Sequence, residues 1–246
     1  MAVSSDQKTQ AAPRSWARRL APLAVLAVIL VLFFVLRLDR YVSFAVLREH
    51  REMLSRFVQD HGALAALLFV AIYVVAVAAS LPGGAVLSVA GGFLFGTVAG
   101  TLYVVVAATL GATGLFLAAG SAFGDGLRRR MGTLGARMAG ELADNAFSYL
   151  LVLRLVPLFP FWLVNLVPAV AGVRLRTFVL ATFIGIIPGS FVFVSIGSGL
   201  GAVFDRGETP DLSIIFSREV LVPLIGLALL ALVPVVYRRW QASRHP

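Results

Sequence analysis

Residues 62–124 read GALAALLFVAIYVVAVAASLPGGAVLSVAGGFLFGTVAGTLYVVVAATLGATGLFLAAGSAFG, and none of these 63 positions (62 through 124) is charged. The run exceeds two spanning helices of about 20 residues each. Helix breakers stand where a third would lie: Leu81-Pro82-Gly83-Gly84, then Gly91, Gly92, Gly96 and Gly100. Proline and adjacent glycines end helices. Inside a bilayer, broken backbone is admissible only where protein or a water-filled cavity shields it. The stretch therefore predicts a spanning helix over 62–81, a re-entrant hairpin over 82–99 and a second spanning helix over 101–119. Gly96, Gly111 and Gly114 are expected to permit close helix packing.

The rest of the composition agrees. The chain has 246 residues, of which 59% are hydrophobic and 13% charged, whereas soluble domains carry about 25% charged residues. Such a chain cannot cover its own surface with polar groups, so lipid must be its solvent. The net charge is +9 and almost wholly arginine, Lys8 being the only lysine. A basic balance can mean nucleic acid. Here the arginines flank apolar runs, so anionic lipid headgroups are the expected partners and nucleic acid is not. Absence of cysteine excludes disulfides and thiolate chemistry. The Ala/Arg/Val-rich, Lys-poor usage points to a GC-rich bacterial genome, and so to a multi-pass protein of a bacterial plasma (inner) membrane.

Outward from the decisive stretch, residues 1–19 form a basic tail expected to be disordered. Residues 20–36 form a first transmembrane helix, read as retained because Arg37, Leu38 and Asp39 follow instead of a small-residue cleavage site. Residues 37–61 read as an interfacial amphipathic helix: Val46, Leu47, Met53, Leu54, Phe57 and Val58 make the apolar stripe, and Glu52 and Arg56 an i,i+4 pair. Beyond the core stretch, a polar connection carries Arg128, Arg129, Arg130 and Arg137, and suits an anionic leaflet. Residues 146–173 are apolar but broken by Pro157, Pro160 and Pro168, which predicts a second re-entrant hairpin. A charge-free span over 177–204, kinked at Pro188-Gly189, leads to an acidic loop over 205–219. The last transmembrane helix and a basic tail occupy 220–246.

Hairpin and span thus occur twice. The expected fold is an all-α integral membrane protein with about five transmembrane helices and two opposed re-entrant helical hairpins in an inverted repeat, bringing broken segments together near the midplane. Residues 62–204 form its core. Positive-inside counting places the Arg128–Arg137 connection and the C-terminus in the cytoplasm. With five spans the basic N-terminus then lies outside, so either one hairpin crosses fully or the first helix runs against the rule.

Arg154 is the sharpest candidate for function. It is the only charge between Asn145 and Val173, and burying a cation at membrane depth costs at least about 2.5–3.5 kcal/mol on insertion scales. A carbonyl cluster, a water-filled cavity or a bound phosphate must offset that, and the planar fork of arginine suits phosphate oxygens. The alternative is that Arg154 snorkels to headgroups at the interface. Asn165 either bridges hairpins by hydrogen bonds or is a packing amide. Pro82, Gly83, Pro157 and Pro160 shape the hairpin turns and free N–H groups at half-helix ends for an anionic headgroup, or act as turn formers alone. Gly172 and Gly189 join the small packing residues. Thr109, Thr113 and Ser190 either line a polar path or bond their own backbone. His50, His61 and His245 lie outside the apolar core, so no intramembrane base, metal site or cofactor fingerprint is evident, and an enzyme is not expected.

The broken segments carry a resemblance. Leu81-Pro82-Gly83, then Gly91-Gly92-Phe93-Leu94-Phe95-Gly96 and Gly100, resembles the first hairpin of the DedA superfamily, also called the SNARE-associated Golgi or VTT-domain family. Ala108-Thr109-Leu110-Gly111-Ala112-Thr113-Gly114 resembles its next helix. Arg154-Leu155-Val156-Pro157 with Pro160, Asn165 and Gly172 resembles its second hairpin, and Pro188-Gly189 and Gly197 also fit. The resemblance covers roughly residues 60 to 205. It implies two opposed re-entrant hairpins and movement of lipids, phospholipid or polyprenyl-phosphate carrier, between leaflets. Many members carry an acidic residue directly after Pro-Gly. Gly84 stands there instead, closer to the branch lacking the acid, which argues against proton coupling through that carboxylate.

The expected function is therefore lipid translocation without ATP. Its rivals are a secondary transporter of a small solute or ion, and a non-transporting membrane protein that organises the envelope. Homo-oligomerisation is left open by the sequence.

Overall fold

A computed structural model of the chain describes residues 16–130, 140, 145–156, 159–200, 213 and 216–244, and the regular elements among them are all helical. The tail before Trp16, most of the connection between 131 and 144, Pro157, the end of the span over 201–204 and most of the acidic loop over 205–219 lie outside the described residues.

Helix α1 (Trp16–Val35) has 20 residues, a length of about 30 Å. It leaves Val25, Val28, Val31 and Val35 exposed while burying Phe33. Arg37, at φ 53°, turns the chain into a short 3-10 turn, Leu38–Arg40. The single amphipathic helix expected over 37–61 is instead two: α2 (Phe44–Glu49) and α3 (Arg51–Asp60), separated at His50. Ser43 caps α2, its hydroxyl accepting from the Val46 N–H at 3.3 Å, as a serine N-cap does. Leu47 is buried in a cluster with Val89 and Leu200, and Phe44 and Leu54 pack against it. Met53, by contrast, is exposed. Part of the apolar stripe therefore docks on protein.

Helix α4 (Gly62–Ala78) buries one face through Ala65, Phe69, Tyr73, Ala76 and Val77 and exposes Leu64, Leu67 and Ile72 on the other. It ends in a Schellman turn, with Ser80 N–H bonded to Val77 O and Leu81 N–H to Ala76 O. Ser80 takes the left-handed position at φ 55°, where glycine is usual.

Helix α5 (Gly84–Arg130) is two helices joined at Gly96, whose φ of 75° and ψ of 178° belong to a region open essentially to glycine alone. The chain reverses there. The entering arm, 84–95, folds back on the start of 97–130. Gly91 and Gly100 let the arms touch: a Cβ at Gly100 would sit 2.7 Å from the Gly91 carbonyl oxygen. The returning arm and the next span form one continuous helix, because no breaker follows Gly96 strongly enough to interrupt it.

The second broken segment gives α6 (Ala146–Leu155) and α7 (Phe161–Ala171). Extended backbone at Val156 and Pro160 separates them, as expected where proline denies the helix its N–H and restricts its neighbour. Gly172, left-handed at φ 78°, closes α7. Helix α8 (Leu175–Ser198) carries Pro188 inside it. Helix α9 (Arg218–Arg244) completes the described chain.

Two helices, over Gly84–Ala122 and Leu175–Ser198, are long and apolar enough to cross a membrane; the former is mostly buried and the latter mostly outward-facing. Helix α5 is the hub of the packing, with α8, α4, α7 and α1 lying against it, while α8 also lies against α6. Bare backbone makes these crossings tight. A Cβ at Gly92 would run into the Val194 carbonyl oxygen, and one at Gly197 into that of Val89. A Cβ at Gly111 would sit 2.7 Å from the Val74 carbonyl oxygen. Small residues permitting such approach supply the dispersion contacts that hold helices together where lipid removes the hydrophobic drive.

Candidate functional site

The broken ends converge. Arg154, in the last turn of α6, donates from Nη2 to Asn165 Oδ1 on α7 at 2.5 Å. The same nitrogen reaches Thr182 Oγ1 on α8 at 3.0 Å. Asn165 is held in turn by its Nδ2, which donates to Phe161 O at 2.9 Å. Its carbonyl is therefore left to accept from arginine, and Asn165 and Thr182 are both fully buried. The guanidinium lies 5.4 Å from the ring centre of Phe161 and 5.6 Å from that of Phe178, within the range of cation–π attraction.

All of these partners are neutral. The Arg154 Nε is enclosed without a hydrogen-bond partner among the described residues. A half-buried guanidinium lacking, among the described residues, both a counter-charge and a full set of acceptors is costly. Gly185 makes its position possible, because a Cβ there would stand 2.8 Å from Arg154 Cβ.

Beside Arg154 lies a cavity of about 610 Å³, within the size range of small-molecule sites. Its wall takes Leu30 and Phe34 from α1, Tyr73 and Val77 from α4, and the Ser80–Ala85 turn. Arg154 and Leu155 come from α6, Phe161 and Trp162 from α7, Gly189, Ser190 and Phe193 from α8, and Leu224 from α9. Two helix N-termini therefore border it, since Gly84 and Ala85 open α5 and Phe161 and Trp162 open α7. First-turn N–H groups lack intrahelical partners, and a helix start carries roughly half a positive charge. Among the described residues Arg154 is the only charged one in this wall. Ser88 donates to Gly84 O at 2.8 Å, so Tyr73 supplies the proton of the 2.9 Å Tyr73–Ser88 bond and keeps its oxygen lone pairs free to accept.

The residues singled out in the sequence separate accordingly. Pro82, Gly83, Arg154 and Gly189 line one cavity, with Asn165 directly behind Arg154. Pro160 is the exposed residue preceding α7 and is absent from the wall. Pro157 lies outside the described residues. Thr109 and Thr113 bond the carbonyls four residues earlier, each at 2.7 Å, and do not border the cavity, while Ser190 does.

Among the glycines read as packing residues, Gly111 makes a backbone-close crossing and Gly114 an ordinary 3.7 Å approach to Ala78. Gly96 and Gly189 have nothing within 4 Å of a built Cβ. Gly96 is instead the reversal, Gly172 a helix cap and Gly189 a wall position. Thr182 escaped the sequence reading because nothing local marks a threonine 28 residues from its partner. Gly185 was equally silent, and its only signal is a small residue three positions after Thr182 on one helix face.

A multi-pass, all-α membrane protein built on two helix-break-helix hairpins is the class these features define. Residues 81–199 match the VTT domain. The chain is 31% identical over 192 residues to Transmembrane protein 41 homolog of Dictyostelium discoideum, covering 76% of this chain and 55% of that protein. It is 32% identical over 96 residues to Transmembrane protein 41B of Xenopus tropicalis, covering 39% of this chain and 32% of the relative. It is 31% identical over 96 residues to the Mus musculus protein of the same name, covering 39% and 31%. Residues 81–199 thus carry the VTT domain of the DedA/SNARE-associated Golgi family. It spans about half the length of the first of these relatives and about a third of the others. No solved structure matches it.

Proposed function

We propose that this protein moves phosphate-bearing lipids, phospholipid or polyprenyl phosphate, between leaflets without ATP, in the plasma membrane of a bacterium. The observation that carries the reading is Arg154: a guanidinium held by neutral partners beside a cavity whose wall contains no carboxylate among the described residues. A phosphate entering the cavity supplies the missing counter-charge, and the helix starts at Gly84 and Phe161 add to the attraction. The headgroup then occupies a polar site at the level of the broken helices, while the hydrocarbon stays in lipid. Among the described residues the wall offers no carboxylate to exchange a proton with the headgroup, which favours movement down the lipid's own gradient.

The test is loss of leaflet asymmetry in liposomes reconstituted with the full chain. Fluorescent phosphatidylglycerol and a fluorescent polyprenyl-phosphate analogue are followed separately. Acceleration of either over empty vesicles supports the reading, and folded protein that accelerates neither contradicts it.

A further inference from the structure

We propose that the cavity takes an anionic amphiphile sideways, with the headgroup beside Arg154 and the hydrocarbon tail leaving between α1 and α9. The inference rests on the lipid reading of the same cavity and adds where the tail goes.

Three pairs of the helices around the cavity are joined by backbone-close crossings. Gly111 locks α4 to α5, Gly92 and Gly197 lock the entering arm of α5 to α8, and Gly185 locks α8 to α6. Parting any of these means separating backbones in direct contact. Three walls are attached differently, and of these α7 packs on α5. Helix α1 packs on α5, and α9 packs on α6, where Leu224 and Ala228 meet Leu155. No comparable packing joins α1 to α9 among the described residues. Yet both reach the cavity, α1 with Leu30 and Phe34 and α9 with Leu224. On that side the cavity is bounded by apolar side chains of two helices not fastened to each other. Hydrocarbon crosses such a seam without desolvating a polar group.

The chemistry of the wall selects the occupant. A free inorganic anion satisfies Arg154 but leaves Leu30, Phe34, Phe193 and Leu224 facing nothing apolar. A neutral lipid does the converse, and an amine-bearing headgroup finds no carboxylate among the described residues of the wall. One negative headgroup with a tail meets both ends.

The test is photolabelling of the full chain in detergent with equimolar phosphatidylglycerol carrying a mid-chain diazirine. Labelled positions are mapped by mass spectrometry with and without excess unlabelled phosphatidylglycerol. The expected result is competed labelling around Leu30–Phe34 and around Leu224, weaker by about tenfold or more in Arg154→Ala, as loss of a charged hydrogen-bonding partner implies. Leu30→Trp, which adds bulk at the seam without touching Arg154, should lower labelling at Leu224 in folded protein. Competed labelling confined to α4 or to the outward face of α8 overturns the portal. Competition by inorganic phosphate as effective as by the lipid overturns the amphiphile. Labelling without translocation leaves this site standing and removes the proposed function; translocation without competed labelling at the seam does the reverse.

Discussion

Gly185 stands directly against Arg154, where a Cβ would lie 2.8 Å from the arginine's own Cβ and 3.2 Å from its Cγ. The cation at the cavity wall is therefore positioned by the absence of a side chain on the neighbouring helix. Gly185→Ala must push α6 and α8 apart or tilt the guanidinium away from Thr182. Overpacking of this kind costs about 1–3 kcal/mol, so the melting temperature in detergent should fall. Transport should fall further than the loss of folded protein explains.

Arg154 and Asn165 should behave as a coupled pair. Asn165→Leu alone removes the acceptor of the 2.5 Å bond and leaves a buried charge short of a partner, at a cost of about 1.5–3 kcal/mol. Arg154→Met with Asn165→Leu removes donor and acceptor together, and neutral replacement of a buried polar pair is often tolerated. A double-mutant cycle on unfolding in detergent should thus give a double variant more stable than Asn165→Leu. Additive losses would show that the two side chains do not depend on each other.

Glycines in the same membrane core should differ sharply in tolerance. Gly92→Ala and Gly197→Ala drive a methyl into the carbonyls of Val194 and Val89, which no side-chain rotation relieves. Both should lose most monodisperse protein in size-exclusion chromatography. Gly189→Ala, with nothing within 4 Å, should match the parent in yield.

Two backbone positions predict opposite signs. Gly96→Ala places a Cβ at φ 75°, ψ 178°, at a cost of about 1–3 kcal/mol. Ser80→Gly relieves a left-handed serine at φ 55° and should stabilise by up to about 1 kcal/mol. Thermal unfolding of the two variants beside the parent reads both shifts.

Much of this architecture was legible because its breaks are written in proline and glycine. Pro82-Gly83-Gly84 follows the Schellman turn of α4 and opens the first hairpin, and Pro160 precedes α7. Arg154 and Asn165 stood out as polar residues in an apolar stretch, and they meet because the break between α6 and α7 folds them together. What the sequence concealed is which face each residue presents. Gly100 reads as a further breaker but is a contact between hairpin arms, while Gly185 and Gly197 carry crossings that periodicity does not reveal. The interruption of the amphipathic segment at His50 has no proline or glycine to announce it. Leu47 docks there into a cluster formed by residues distant in sequence.

The most direct measurement of the central claim compares the parent, Arg154→Lys and Arg154→Ala in one liposome assay of fluorescent phosphatidylglycerol and polyprenyl-phosphate translocation. Reconstituted amounts are matched by quantifying folded protein. The account predicts acceleration by the parent, partial activity with lysine because charge survives without the bidentate fork, and a loss of about tenfold or more with alanine. Equal rates for the parent and a folded Arg154→Ala protein would contradict it, since the unneutralised guanidinium beside the cavity would then have no part in moving lipid.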